Sequence, residues 1–331
     1  MQTDYDVIII GAGPAGASCA KHLVENGVKT LVIEKRKLPR YKCCGGILSK
    51  RSITFLNGSF GNIPENILSN PKSVTLKMSK TGNSFFDIDK NEWVSIKRHL
   101  FDYWLINESK ANIIENSFFL SFTEEEEYIK IKYRNNDKDY YVTCKYLVGA
   151  DGGLGTTRRL LDNSININTI GCYKQFVYKG NSNIEKNYYY YLFGKKYTDM
   201  ISNFCVKDDL IYIGTTYSIN NLKENYLELI KNKLLEKFNL KLENLIRKEI
   251  CLEDLRVEDS RFYFGRDNIL LIGENAGFLS GMGEGIPSAL ISGDLASLAI
   301  IHSIKTGVKP ISLYLEMIMP EKEHIKKSLG L

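Results

Sequence analysis

Tyr5-Asp6-Val7-Ile8-Ile9-Ile10-Gly11-Ala12-Gly13-Pro14-Ala15-Gly16 is the stretch that decides the fold. Tyr5 to Ile10 is almost wholly apolar and β-branched, which predicts a parallel strand buried on both faces. From Pro14 to about Asn26, residues Ala17, Ala20, Leu23 and Val24 recur at helical spacing, with Pro14 tolerated in the first turn and Gly27 as a stop. A second apolar run, Thr30 to Ile33, ends on Glu34, 23 residues after Gly11. The whole reads as a βαβ unit with a GxGxxG loop at its first turn. Gly11 permits the tight turn, Gly13 lets backbone approach a pyrophosphate, and Gly16 allows close helix-strand packing. Free amides at the helix start would face phosphates, and Glu34 would accept hydrogen bonds from an adenosine ribose.

Working outward, residues 53 to 97 break into short segments with turn signals at Asn57-Gly58, Asn70-Pro71 and Thr81-Gly82-Asn83, which predicts loops and strands of a second layer. His99 to about Ala111 reads as helical. Ser117 to Cys144 alternates like strands, with hairpin tips near Glu124 to Glu127 and Asn135 to Asp139. The glutamate run is a solvated tip. Tyr146 to Ala150 is another buried-type strand, closed by Asp151-Gly152-Gly153. Strands are expected around 172 to 179, 187 to 193, 200 to 206 and 210 to 217. An amphipathic helix follows, with Leu227, Ile230, Leu234 and Phe238 on one stripe. A last Rossmann-type strand at Asn268 to Gly273 leads through a glycine-rich turn into a small-residue helix from about Ile286 to Ser303. The expected fold class is α/β: a Rossmann-type dinucleotide domain from 1–52, 98–164 and 263–331, interleaved with an α+β substrate domain on a mixed or antiparallel sheet from 53–97 and 165–262.

Composition bounds the function. In 331 residues, 44% are hydrophobic and 25% charged, enough for a sizeable core without staples. No apolar run reaches the roughly 18 to 20 residues of a membrane span, and Met1 to Asp6 carries no signal-type flank, so the expected location is cytoplasmic. The net charge of +5, with both signs interleaved, is too mild to argue nucleic acid. Seven cysteines without C-x-x-C pairs read as reduced thiols, and no metal site is expected. His22, His99, His302 and His324 are scattered, and none reads as catalytic.

Two further segments accompany the N-terminal fingerprint: Tyr146 to Gly152 with Arg158, and Leu270-Leu271-Ile272-Gly273-Glu274-Asn275-Ala276-Gly277. Together the three resemble the landmarks of the para-hydroxybenzoate-hydroxylase-like FAD superfamily. Pro39-Arg40-Tyr41-Lys42-Cys43-Cys44-Gly45-Gly46, Arg98-His99-Leu100-Phe101-Asp102 and Gly283-Glu284-Gly285-Ile286 resemble the geranylgeranyl reductase family. The resemblance implies FAD as cofactor, with Gly11, Gly13, Ala15, Gly16, Glu34 and Lys35 at its ADP half and Arg98 near the phosphates. It places Asp151, Glu274 and Gly283 among the cofactor contacts, Cys44, Gly45 and Gly46 along the flavin, and Gly285 and Ile286 at its pyrimidine edge. Amides at the start of the helix near Ile286 would stabilise an anionic reduced flavin. Cys44 is the candidate catalytic residue; the alternative is a small contact to the ring.

The chain departs from the family where Asp is replaced by Glu274. It departs again where Tyr197-Thr198-Asp199-Met200-Ile201-Ser202 stands in place of a Tyr-x-Trp-x-Phe-Pro stretch. Tyr188-Tyr189-Tyr190-Tyr191 on a strand would present one pair to each face, and one pair is a candidate aromatic wall for a prenyl chain or aromatic ring. The resemblance implies reduction of a carbon-carbon double bond in a hydrophobic small molecule or lipid. NAD(P)H or another electron carrier, including a donor protein, would act transiently, since no second strand-linked GxGxxG is present. A flavin-dependent monooxygenase or hydroxylase is the first alternative. Its halogenase branch is disfavoured by the lack of a Trp-x-Trp-x-Ile-Pro stretch, the two tryptophans being Trp93 and Trp104. A non-catalytic flavin-binding redox sensor is the second.

Overall fold

The computed structural model describes residues 2–89, 91–162, 169–221, 225–254 and 261–330. The chain forms two compact units, Met1–Arg40, Asp102–Ile165 and Arg256–Leu331 in one, Tyr41–Phe101 and Asn166–Leu255 in the other. Residues 41–52 and 98–101, expected with the first unit, belong to the second. The physical reason is that the 41–46 loop and strand Ile47–Leu48 pack and pair within the second sheet. The expected boundary between 164 and 165 lies outside the described residues.

In the first unit, strand Tyr5–Ile10 runs parallel between Thr30–Ile33 and the end of Lys138–Gly149. Ile269–Leu271 extends the parallel sheet on one side and Asn112–Ile114 on the other. The first half of Lys138–Gly149 pairs instead with the hairpin Ser117–Glu124 and Ile129–Asn135. The turn from Ile129–Asn135 into Lys138–Gly149 runs through Asn136 and Asp137, both at positive φ, as a tight hairpin requires. Val7, Ile8 and Ile9 are fully buried because one face of their strand meets the hairpin and the other meets helices. Helix Pro14–Glu25 packs against Ile286–Thr306. The contact is close: a Cβ on Gly293 would sit 2.3 Å from the Ala15 carbonyl oxygen, and Ser18 donates to the Leu290 carbonyl at 2.8 Å. Ile286–Thr306 is long and apolar enough to cross a membrane by length and composition. Most of its apolar window is buried in the unit, as in a core helix. Helix Pro310–Leu329, which sequence patterning does not single out, packs on it and anchors the Tyr314 hydroxyl on the Leu271 carbonyl at 3.0 Å.

The second unit is a nine-stranded sheet in the order Lys241–Asp254, Ile170–Asn181, Leu210–Ser218, Ser202–Lys207, Tyr188–Leu192, Leu68–Ser79, Trp93–Ile96 and Ile47–Leu48, with Phe86–Asp87 beside Leu68–Ser79. All pairings are antiparallel except Tyr188–Leu192 with Leu68–Ser79. Helix Tyr226–Phe238 covers one face through Ile230, Leu234 and Phe238, which pack with Phe176, Tyr190, Phe204 and Ile213. The other face carries Tyr189, Tyr191, Cys205 and Tyr212 with Val74 and Leu76. Period-two alternation therefore divides the tyrosine run: Tyr188 and Tyr190 pack toward the helix, Tyr189 and Tyr191 away from it. The fold class is the one expected.

Candidate functional site

In the first unit, the glycines of the first turn are glycine for different reasons. Gly11 sits at φ +108°, and a Cβ there would lie 2.5 Å from the Ala150 carbonyl oxygen. A Cβ on Gly16 would lie 2.0 Å from the Gly11 carbonyl oxygen. The chain itself imposes both. Gly13 has φ −82° and ψ −177°, open to any residue, and the nearest atom to a Cβ there is Nη2 of Arg40 at 3.9 Å. Among the described residues nothing requires a glycine at 13, and bare backbone there lies at the N-terminus of helix Pro14–Glu25, whose first turn has no side-chain cap. A cradle of this kind fits a pyrophosphate. Ala15 and Gly16 lie buried in that first turn.

Glu34 closes the side of the cradle. It is 2% exposed, and its Oε2 accepts from the Ala12 amide at 2.9 Å while Oε1 accepts from the Arg36 amide at 3.0 Å. Arg40 lies over it, Nε 3.3 Å from Oε1, and also pairs through Nη1 with buried Asp102 at 3.0 Å. One guanidinium thereby offsets the charge of both acids, whose burial without a cation nearby would be costly. Nη2 of Arg40 also donates to Oε2 at 3.4 Å, so the roughly four acceptor positions of the carboxylate are met and a ribose hydroxyl would bind by displacing one of the Arg40 contacts. Arg40 and Asp102 are the parts of this arrangement that sequence reading did not assign. The available signal was an arginine six residues past the acidic one. Lys35, beside Glu34, is exposed.

Asp151 lies just past strand Lys138–Gly149, and its Oδ2 accepts the Thr157 amide in the first turn of helix Thr156–Leu161 at 3.1 Å. Its Oδ1 accepts Nδ2 of Asn275 at 2.6 Å. Burial pushes the carboxyl above its usual range despite these bonds. Arg158, fully buried, donates to the carbonyls of Arg261 at 2.7 Å and Asn275 at 3.2 Å, tying the last glycine-rich segment to this helix. Glu274 packs its carboxylate over Gly153, where a Cβ would come 2.6 Å from Oε1. The turn before Ile286–Thr306 closes on itself: Ser280 donates its amide to the Glu284 carbonyl and Gly283 its amide to the Ser280 carbonyl, each at 2.9 Å. Gly283 lies at φ +76° with open space where its Cβ would point, and Gly285 precedes Ile286 with no side chain capping the helix.

In the second unit, residues 41–46 lie on the tyrosine-bearing face of the sheet. Tyr41 stacks between His99, at 4.5 Å between ring centroids, and the Arg247 guanidinium, 4.3 Å from its ring centre. The Cys43 thiol reaches the Tyr173 carbonyl at 3.7 Å. Cys44 is partly exposed, its sulfur accepting the Gly46 amide at 3.4 Å. A Cβ on Gly45 would lie 2.2 Å from the Tyr189 hydroxyl, so the loop runs flat against that ring. Gly46, at φ +66°, is squeezed between the Ile96 carbonyl oxygen and Nζ of Lys207, each 2.6 Å from where a Cβ would sit. Lys207 and Tyr173 have no motif to announce them. Along the same face a hydrogen-bonded row runs from Asn203 through Tyr173, Gln175 and Glu249 to Arg247 and Tyr212. Arg98 opens helix Arg98–Glu108 and groups with this second unit.

The fold is shared with solved structures. A geranylgeranyl bacteriochlorophyll reductase-like protein from Thermoplasma acidophilum superposes with a TM-score of 0.82 at 21% identity, covering 98% of this chain and 85% of that one. The flavin-dependent halogenase CmlS gives 0.75 at 18% identity, covering 99% and 64%. In sequence, Protein CbrA of Escherichia coli O139:H28 (strain E24377A / ETEC) is 26% identical over 305 residues, 88% of this chain and 82% of that protein. The family described as an FAD binding domain matches residues 4–173, a span that takes in the Gly13 cradle, Glu34, Arg40 and Asp151. That span is just over half the chain, and the chain belongs to the FAD-binding-domain family.

Proposed function

We propose that this protein is an FAD-dependent oxidoreductase that reduces a carbon-carbon double bond of a hydrophobic, prenyl-like or aromatic molecule. The observation that carries the cofactor reading is Gly13: bare backbone, unconstrained by its own chain, at an uncapped helix start beside a buried acid. When bound, FAD takes two electrons from a donor and supplies them as a hydride. Gly11, Gly13, Ala15 and Gly16 would present the phosphate-binding backbone, Glu34 would orient the adenosine ribose, and Arg40 would hold Glu34 in place. Arg98 is proposed as a further phosphate contact. Asp151 and Glu274 would shape the segment beside the cofactor. Gly283, Gly285 and Ile286 offer bare amides and a helix start to the edge of the ring that becomes negative on reduction.

Cys44, Gly45 and Gly46 are proposed as flavin-facing residues, with Cys44 the side chain nearest the reacting atoms. Tyr189 and Tyr191, on the face where that loop lies, supply the aromatic wall for the substrate. The likeness to a reductase-like structure and the Tyr41 to Gly46 stretch both favour reduction. NAD(P)H or another electron carrier, or a donor protein, is proposed as the source of electrons.

The test is anaerobic reduction of the flavin with NADH, NADPH or dithionite, followed by a polyprenyl substrate or by oxygen. Reoxidation by the polyprenyl compound with loss of a double bond supports the proposal. Reoxidation by oxygen alone, with a hydroxylated product, identifies a monooxygenase. A flavin that returns to the oxidised state without altering any substrate identifies a sensor.

A further inference from the structure

We propose that Lys207 is the positioning residue of the Cys44-Gly45-Gly46 loop, its ammonium joining that loop to the end of strand Trp93–Ile96. The proposal rests on the reading of this loop as flavin-facing. Lys207 is 5% exposed at the end of strand Ser202–Lys207 and shares its sheet face with Asn203 and Cys205. Nζ donates to the Gly45 carbonyl at 2.9 Å and the Ile96 carbonyl at 3.1 Å. Its remaining side faces the Tyr212 ring, 5.0 Å from the centroid. Among the described residues no carboxylate forms an ion pair with it.

A buried ammonium without an anionic partner is expensive, and an apolar side chain of similar length would fill the space without that cost. What lysine adds is a donor that two carbonyls from separate segments can share. The Gly46 carbonyl in turn accepts the Ile96 amide at 2.8 Å, so loop and strand are fastened on both sides. Gly46 must lack a Cβ, because the carbonyl and the ammonium already occupy that space. The Cys44 sulfur, which accepts the Gly46 amide, inherits its placement from this clamp.

The experiment uses the full-length holoprotein and its Lys207→Met and Lys207→Arg variants. Alkylation of Cys44 by iodoacetamide is followed by peptide mass spectrometry, and the flavin midpoint potential is measured alongside. Lys207→Met should alkylate Cys44 about tenfold faster, the loss expected for a charge-assisted hydrogen bond, and should shift the potential. Lys207→Arg keeps a charged donor without the compact shape of the ammonium, so it should alkylate more slowly than Lys207→Met without fully matching the wild type. Wild-type alkylation and an unchanged potential in Lys207→Met overturn the proposal. If that variant does not fold, Gly46→Ala takes its place: its Cβ must displace the ammonium and should accelerate alkylation in the same way, and a wild-type rate there is equally contrary. A wild type that never holds FAD overturns the functional reading itself, and is seen in the flavin content before any alkylation is measured.

Discussion

The phosphate-binding turn at 11–16 and the cysteine-glycine loop at 43–46 are both glycine-rich, yet they are held by opposite means. In the first, Gly11 and Gly16 meet backbone atoms of neighbouring strands and of each other, so the turn is shaped by main chain that lies close in sequence or in the sheet. In the second, Gly45 meets the side chain of Tyr189, and Gly46 meets the Ile96 carbonyl and the side chain of Lys207, all from strands far along the chain. A turn built from its own backbone tolerates change elsewhere and fails when its own glycines change. A loop built from distant side chains can be released, or repaired, from those distant positions.

The largest expected effect follows from Gly16→Val. Its branched side chain would start 2.0 Å from a backbone oxygen that has nowhere to move, costing on the order of 3 kcal/mol or more. Denaturant unfolding should show the loss, and no second substitution among side chains should recover it. Gly45→Ala should cost less, ~1 to 3 kcal/mol, because it meets a hydroxyl and not main chain. Here the contrast sharpens. Tyr189→Phe in the same chain should return part of the loss, with a coupling of about 0.5 kcal/mol or more in a double-mutant cycle. Strict additivity would show that the ring does not support the loop.

A third effect depends on pH. Burial holds the Lys207 ammonium below its ordinary value of 10.5, ahead of the opposing influence of Cys205, Cys44, Asp208 and Glu249. The native state therefore releases this proton before the unfolded chain does. The stability it contributes is present above 10.5 and lost as pH falls through the folded value. Compared with Lys207→Met, the wild type should gain stability as pH rises toward 10.5 in denaturant titrations. A difference that moves the other way would mean that Lys207 is not desolvated. The smallest effect belongs to the hairpin tip. Glu124 pairs with Arg266 at the surface, and Glu124→Ala should cost less than about 1 kcal/mol and leave flavin content unchanged.

The same contrast explains what could be read from the sequence. Tyr5 to Glu34 was legible because strand, turn, helix and strand follow one another, and Gly11 and Gly16 answer to main chain close by. The strands near 172, 188, 202 and 210 and helix Tyr226–Phe238 announced themselves by period. Helix Lys50–Ser59 did not, because Asn57-Gly58 signals a turn and here lies inside its last turn. Asn70-Pro71 likewise suggests a break, yet it lies within strand Leu68–Ser79, where the pairing slips between Leu68 and Ser73. Strand Lys241–Asp254 alternates only weakly, since as an edge strand it leaves Leu245, Ile250 and Leu252 exposed. Lys207 reaches partners 162 and 111 residues away, and no local pattern encodes such a bond. Arg40 was in plain view, but its role depends on Asp102 arriving from another helix.

Gly13→Ala separates cofactor binding from folding. Among the described residues its Cβ meets nothing closer than 3.9 Å, so the variant should unfold at the same denaturant concentration as the wild type. The account predicts one FAD per wild-type chain after purification or reconstitution. In Gly13→Ala the FAD affinity should fall roughly tenfold or more, in line with the ~1 to 3 kcal/mol of an overfilled contact. A Gly13→Ala chain that binds FAD as tightly as the wild type, or a wild-type chain that stays colourless when offered FAD, would contradict it.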